Sequence, residues 1–77
     1  MNQAILFNDD LIFDEEKSAW RMTGLLSGQI ISIYFHSFVL SKMESIDTCT
    51  KFDLEEAFEM WLEENEPEGD SIHIEMP

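Results

Sequence analysis

The feature that most constrains the fold is a stretch without acidic residues, from Ser18 to Met43, in a chain with 17 acidic and 4 basic residues and a net charge of −13. This neutral stretch is rich in β-branched and aromatic residues, which favour half-buried strands. Acidic residues lie on both sides of it, and few cations are present to pair with them. The sequence therefore predicts an apolar centre flanked by two solvated acidic segments.

The middle of the neutral stretch predicts a β-hairpin. Ser27-Gly28 supplies a turn, because glycine adopts positive φ angles without steric cost. The two strands are predicted over residues 19–26 and 29–35. Alternation then divides their side chains between two faces. The first strand is predicted to hold Trp20, Met22 and Leu26 on one face. The second is predicted to hold Ile31, Ile33 and Phe35 on one face and Ile30, Ser32 and Tyr34 on the other.

Three further short elements are predicted outside the hairpin. Residues 4–7 read as an edge strand that ends at the turn residues Asn8-Asp9-Asp10, and residues 11–13 extend or repeat it. Residues 37–43 are predicted to form a short helix with Ser37 as its cap and with Val39, Leu40 and Met43 turned inward. Residues 71–75 alternate in polarity, which predicts a last short strand at the sheet edge.

A longer helix is predicted near the C-terminal end of the sequence. Thr50 followed three residues later by Asp53 resembles a capping box, and Asn65-Glu66-Pro67 ends the helical pattern. Apolar residues between these signals recur at helical spacing, which predicts one buried stripe. The stripe consists of Leu54, Ala57, Phe58, Trp61 and Leu62.

These elements predict a single α+β domain over residues 1–77. Its expected architecture is a small antiparallel sheet of three or four strands, covered on one face by the C-terminal amphipathic helix and a short helix. The single cysteine, Cys49, favours a reducing cytoplasm. We expect no signal peptide, since the first residues lack a basic region, and no membrane span, since no apolar run is long enough.

Catalytic, metal and cofactor sites are not supported by the pattern of reactive residues. His36 and His73 are far apart and lie in no ligand motif. The cluster Asp9, Asp10, Asp14, Glu15 and Glu16 lacks the frame of a calcium-binding loop and reads as a solvated turn. Cys49 and the serines have no nucleophile context. We therefore expect no enzyme and no cofactor, and the charge also disfavours direct binding to nucleic acid or to anionic membranes.

The charge pattern supports a binding function instead. Glu55, Glu56, Glu59 and Glu63 are predicted to lie on the solvent side of the helix, and we expect a non-enzymatic adaptor that engages a basic protein partner through them. One alternative is an acidic mimic of nucleic acid that inhibits a nucleic-acid-binding protein. Another is a small-molecule or cation-binding module with a pocket lined by Trp20, Tyr34 and Trp61.

A homodimer is also predicted, because one helix cannot cover both faces of the sheet. Repulsion between two highly acidic copies favours contact through the neutral hairpin, with Trp20, Ile30 and Tyr34 as the expected interface residues. The apolar side chains expected to remain partly uncovered are Leu25, Ile30, Tyr34, Phe38 and Met60.

The order of the motifs resembles that of a family of small bacterial proteins, domain-of-unknown-function family 1488. The resemblance rests on MNQAILF, FDEE, LLSGQI, the spacing of Phe35 and Leu40, and FDLEEAFEMWLEE. Residues 13–15 and 52–56 stand where the family has Trp-Asp-Glu and Trp-Asp-Leu-Glu-Glu. The sequence departs from the family at Ile33, where many members have Cys, and in a shorter segment over residues 44–50. The resemblance implies an α+β domain of bacterial, cytoplasmic origin and carries no known activity.

Overall fold

The computed structural model describes residues 5–76, which form one five-stranded sheet and one α-helix. The α+β prediction is confirmed, but the sheet has more strands than the three or four expected. The strand order is β1-β3-β4-β5, and β2 also pairs with β3. The elements in chain order are β1 (Ile5–Phe7), β2 (Ile12–Asp14), β3 (Ala19–Leu26), β4 (Gln29–His36), a 3₁₀ turn (Leu40–Lys42), α1 (Thr48–Glu64) and β5 (Ser71–Glu75).

The predicted hairpin is confirmed as the β3–β4 pair. Leu26 pairs with Gln29, and the two residues between them have positive φ angles, 52° at Ser27 and 81° at Gly28. Positive φ at both central positions is the property of the tight turn that matches the twist of antiparallel strands. The pairing of Trp20 with Phe35 and of Met22 with Ile33 brings the two predicted strand faces together on one side of the sheet. That side is buried, and its residues are Trp20, Met22, Leu26, Ile31, Ile33 and Phe35.

The strand predicted over residues 4–7 is confirmed for Ile5–Phe7, whereas Ala4 lies outside the described residues. β1 and β2 do not form one continuous strand. β1 pairs with Gly24 to Leu26, and β2 pairs with Ala19 to Arg21. The two short strands therefore share the same side of β3, which explains part of the excess over the predicted strand number.

β5 confirms the predicted strand at residues 71–75, but its direction differs from the fully antiparallel sheet that was expected. It pairs with β4 in parallel, with Ser32 opposite Ser71 and His36 opposite Glu75. Because α1 lies between β4 and β5 in the sequence, the chain crosses over and re-enters the sheet in the same direction.

α1 begins two residues before the predicted cap. Asp47 is the N-cap, and its side chain accepts a 2.7 Å hydrogen bond from the backbone N–H of Thr50. This hydrogen bond holds the pKa of Asp47 below its ordinary value. The predicted capping role of Thr50 is therefore wrong. The predicted end of the helix is confirmed, with Asn65 as its C-cap.

The core lies between α1 and one face of the sheet. Its fully buried side chains come from the sheet and from the predicted stripe of α1. The ring of Phe58 contacts those of Phe7 and Trp61, at centroid distances of 6.1 and 5.8 Å. Trp61 itself is partly buried at the edge of this cluster. The largest fully buried side chains are Phe35, Phe58, Met22, Ile33 and Leu54.

The predicted short helix over residues 37–43 is a three-residue 3₁₀ turn. The predicted capping role of Ser37 is wrong, because Val39 is the N-cap of the turn and makes no capping hydrogen bond with its side chain. The hydroxyl of Ser37 still accepts a hydrogen bond from the N–H of Leu40, at 3.2 Å. A turn this short directs a single apolar side chain inward. Leu40 is buried, whereas Val39 and Met43 are 61% and 43% exposed, so the predicted inward placement of these two is wrong.

Candidate protein-binding surface

The solvent side of α1 combines acidic and apolar side chains. The buried residues of the helix, Leu54 and Phe58, face the sheet. Phe52 and Met60 lie off this stripe and are 59% and 60% exposed. They share the solvent side with exposed glutamates, because residues three, four, seven or eight apart lie on one side of a helix. We call this surface the outer helix face; it consists of Phe52, Glu56, Glu59, Met60 and Glu63.

Three of the four predicted binding glutamates lie on the outer helix face, and the fourth lies beside it. The side chain of Glu55 is 20% exposed, and its carboxylate is 3.9 Å from the ammonium group of Lys51. Glu56, Glu59 and Glu63 are exposed and form no ion pair within residues 5–76. These three carboxylates are therefore free to meet charges from outside the chain.

Lys51, the basic residue of α1, is engaged by the chain itself. Its ammonium group is 2.7 Å from the carboxylate of Asp9 in the turn after β1. This hydrogen bond raises the pKa of Lys51 and lowers that of Asp9. The cation is directed toward the turn after β1, so it does not neutralise the outer helix face.

The predicted dimer residues lie on both faces of the sheet. Trp20 is 6% exposed, and its indole Nε1–H donates to the carbonyl of Leu40 at 2.7 Å within the core. Tyr34 lies on the opposite face but is 8% exposed, stacked against His73 and under the ammonium group of Lys17. Ile30 is 66% exposed. Of the three, Ile30 is the one whose side chain is available at the surface.

The small-molecule pocket predicted from Trp20, Tyr34 and Trp61 is not assembled. Tyr34 and Phe35 are neighbours on β4, and Phe35 pairs with Trp20. Because successive side chains of a strand alternate, Tyr34 faces away from the side that holds Trp20. Trp61 packs against the core from α1. Tyr34 and Trp20 therefore lie on opposite faces of the sheet and cannot line one pocket.

The sheet face away from α1 carries an exposed apolar row. Leu25 pairs with Leu6 on one side and with Ile30 on the other, so the three side chains lie together across three strands. Their exposed fractions are 70% for Leu6, 38% for Leu25 and 66% for Ile30. We call them the apolar row. Of the residues expected to remain uncovered, Tyr34 is buried, whereas Leu25, Ile30, Phe38 and Met60 are exposed.

The two histidines, distant in sequence, meet on this same sheet face. The parallel pairing of β4 and β5 brings Nε2 of His36 within 2.7 Å of Nδ1 of His73, and the two rings stack. Sequence spacing gives no signal for this contact. Within residues 5–76, no group of three or more His, Cys, Asp or Glu side chains is arranged to hold a metal ion. The pair adds polar contacts between the two strands.

The acidic turn after β1 is not uniformly solvated. Asp10 accepts hydrogen bonds from the backbone and the hydroxyl of Thr23 on β3. Asn8 also donates to that hydroxyl, at 2.8 Å. These hydrogen bonds therefore hold the segment between β1 and β2 against β3.

Sequence reasoning missed Phe52 as a surface residue. A signal was present, since Phe52 and Met60 lie two turns apart and both fall off the stripe led by Leu54 and Phe58. A helical projection separates the two sets.

No helix within residues 5–76 combines the length and apolar character needed to cross a membrane.

Comparisons with known proteins give one informative match. No family model matches the sequence, and no curated protein matches it. The fold is similar to the crystal structure of a protein of unknown function from the DUF1488 family of Shewanella loihica PV-4, with a TM-score of 0.65 and 27% sequence identity. The match covers 96% of this chain and 94% of that chain. The resemblance to domain-of-unknown-function family 1488 that the sequence motifs indicate is confirmed.

Proposed function

We propose that this chain is a non-enzymatic binding protein that engages a basic protein partner through the outer helix face. The observation that carries the proposal is the placement of exposed Phe52 and Met60 among unpaired Glu56, Glu59 and Glu63. Exposed apolar side chains inside a charged surround are typical of interfaces, where apolar anchors supply affinity and charges supply orientation.

The charge of the surface defines the chemistry of the partner. Glu59 and Glu63 lie four residues apart, a spacing at which like charges destabilise a helix by about 0.2–0.5 kcal/mol. Lysine or arginine side chains of a partner would relieve this repulsion. The net charge of −13 repels acidic proteins and nucleic acids and speeds encounter with basic ones.

A cytoplasmic location is part of this proposal. Cys49 is exposed at the start of α1 and is the single cysteine of the sequence. An exposed, unpaired thiol is compatible with a reducing compartment, where disulfides are rare.

The proposal is tested by affinity capture from a bacterial lysate at low and high salt. One bait carries Glu56→Gln, Glu59→Gln and Glu63→Gln. A control bait removes the same number of charges elsewhere, at Glu15, Glu16 and Glu44, which are exposed.

We expect the wild-type and control baits to retain the same basic protein at low salt and to lose it at high salt. The outer-helix bait is expected to lose it at both. Equal retention by the outer-helix bait and the control would overturn the proposal.

The nucleic-acid mimic is an alternative that uses the same surface, and the captured protein distinguishes the two. A mimic would bind a nucleic-acid-binding protein and displace its nucleic acid in a competition assay. A captured protein that keeps its nucleic acid, or binds none, excludes the mimic and supports the adaptor.

We further propose a homodimer joined through the apolar row. Leu6, Leu25 and Ile30 are exposed on the sheet face opposite α1, so two copies can meet there with their acidic helices pointing outward. This arrangement separates the two outer helix faces and leaves both accessible. Trp20 and Tyr34 do not contribute to this interface, since their side chains are buried.

A further inference from the structure

We propose that the basic segment of the partner binds as an added strand along the free edge of β5, next to the outer helix face. This inference rests on the proposed function and names the form in which the partner is recognised. Addition of an extended segment to a sheet edge is an established mode of recognition, in which backbone hydrogen bonds give affinity and flanking side chains give specificity.

β5 presents an unpaired backbone edge. Within residues 5–76 it pairs with β4 and with no other strand. Asp70 accepts from Ser32 at 2.7 Å, and the N–H of Met76 donates to His36 at 2.8 Å. In a parallel pair, alternate residues direct their N–H and C=O groups to the neighbour. The intervening residues therefore point theirs outward: Ser71, His73 and Glu75.

The two edges of the sheet differ in how they admit another strand. The opposite edge is divided into β1 and β2, each three residues long, with a gap whose side chains bond to Thr23. Short, interrupted edges resist strand addition. β5 is five residues long without a break, and it contains none of the lysine, proline or glycine that commonly guard an edge.

The surroundings of β5 favour a segment that is both basic and apolar. A cleft between the C-terminal half of α1 and β5 is lined by apolar side chains, among them Met60, Trp61 and Met76, and also by Glu63 and Glu75. Met60 and Glu63 also belong to the outer helix face, so the two surfaces are continuous.

A second cleft lies beside the start of β5. Trp61 contributes to it, together with Glu64, Glu66 and Glu68. Both ends of the β5 edge are therefore acidic. A second copy of this chain would bring Glu75 and its neighbours against like charges, whereas a lysine- or arginine-containing strand would neutralise them.

The test uses three synthetic heptapeptides that share the sequence Lys-Val-Lys-Val-Lys-Val-Lys. One is unmodified, and one carries N-methyl groups on the amides of the three valines. The third carries them on the amides of the three lysines that follow a valine. An added strand directs alternate amides to β5, so one methylated peptide loses its hydrogen bonds and the other keeps them. The two modified peptides match in charge, composition and number of methyl groups.

Binding is measured by amide spectra of the full chain at low salt. We expect one methylated peptide to bind about tenfold or more weakly than the unmodified peptide, and the other within about twofold, because lost backbone hydrogen bonds weaken association. Exchange of the Ser71, His73 and Glu75 amides with solvent should slow on binding. The amides of Ile72 and Ile74, which face β4, serve as internal controls.

Three results would overturn strand addition: equal weakening by both modified peptides, no binding by the unmodified peptide, or slow exchange of the outward amides in the free protein because a second copy covers them. None of these affects the lysate experiment with the glutamate variants. Failure of strand addition and failure of the proposed function are therefore separate outcomes.

Discussion

Asp10 and Thr23 are joined by two hydrogen bonds, in which the carboxylate accepts from the backbone N–H at 3.0 Å and from the hydroxyl of Thr23. The contact lies where β1 stops and β2 has not begun, so a side chain bonds to the N–H of β3 that a continuous edge strand would have paired. The backbone N–H of Thr23 therefore keeps a hydrogen-bond partner where the edge strand is interrupted.

The first prediction follows from that contact. Asp10→Ala should leave the fold intact but speed solvent exchange of the Thr23 amide by roughly fivefold, because one hydrogen bond contributes on the order of 1 kcal/mol. Amide exchange measures this directly. Asp10→Asn, which keeps an acceptor oxygen, is the control. Unchanged exchange in Asp10→Ala would contradict the bond.

Gly24 is predicted to be required for the approach of β1. A Cβ atom at this position would lie 3.1 Å from Cδ1 of Ile5 and 3.2 Å from the backbone oxygen of Leu6. Gly24→Ala should therefore destabilise the protein by about 1–3 kcal/mol through overpacking. Urea unfolding measures the loss. Combining it with Ile5→Val, which shortens the side chain, should recover part of it, and no recovery would exclude this explanation.

Two phenylalanines of α1 provide a matched pair for the core. Phe58 is fully buried and Phe52 is 59% exposed. Phe58→Ala should lower the free energy of unfolding by about 3–5 kcal/mol. Phe52→Ala should change it by less than about 0.5 kcal/mol. Chemical denaturation of both variants decides this, and comparable losses would mean that α1 faces the sheet differently.

Acid should weaken the start of α1. The pKa of Asp47 is lowered by its hydrogen bond to Thr50, so the unfolded chain binds a proton more readily than the folded one. The stabilisation is complete above the ordinary carboxyl pKa and is lost as the pH falls through the lowered folded value. Asp47→Asn keeps an acceptor without titrating. As the pH is lowered, the free energy of unfolding should therefore decrease less steeply for Asp47→Asn than for the wild type. Equal pH dependence of the two proteins would refute the assignment.

The proposed dimer is tested by charging its apolar row. Ile30→Asp places a carboxylate between two copies and should yield a monomer in sedimentation velocity at micromolar concentration and moderate salt. Val39→Asp is the matched control, since Val39 is similarly exposed but belongs to the 3₁₀ turn. A wild-type protein that sediments as a monomer under these conditions, or a dimer that persists in Ile30→Asp, would exclude this interface.

Local patterns were sufficient for the hairpin and for the helix stripe. Ser27-Gly28 has the conformational freedom that the turn requires, and the spacing of Leu54 and Phe58 fixes which side of α1 is buried. The direction of β5 was not predictable in this way. The direction of β5 depends on the path of the chain through α1, which lies between β4 and β5. The alternating pattern of the five residues of β5 carries no information about that path.

The binding surface was predicted in part for the same physical reason. Helical spacing is sufficient to predict that Glu56, Glu59 and Glu63 are exposed. It does not predict that Lys51 forms ion pairs with both Glu55 and Asp9. The cap shows a related limit. Only Thr50 was predicted as the cap from the sequence, although aspartate caps helices at least as readily as threonine. The extended backbone that makes Asp47 the N-cap is seen only in the structure.

The parallel pairing of β4 with β5 also bears on the order of folding. β3 and β4 are joined by a two-residue turn and can associate as soon as both are formed, whereas Ser32 must find Ser71 across the whole of α1. Closing so long a segment costs chain entropy before any contact is gained, and non-local pairing of this kind slows folding. We expect the hairpin to form early and the docking of β5 to set the overall folding rate.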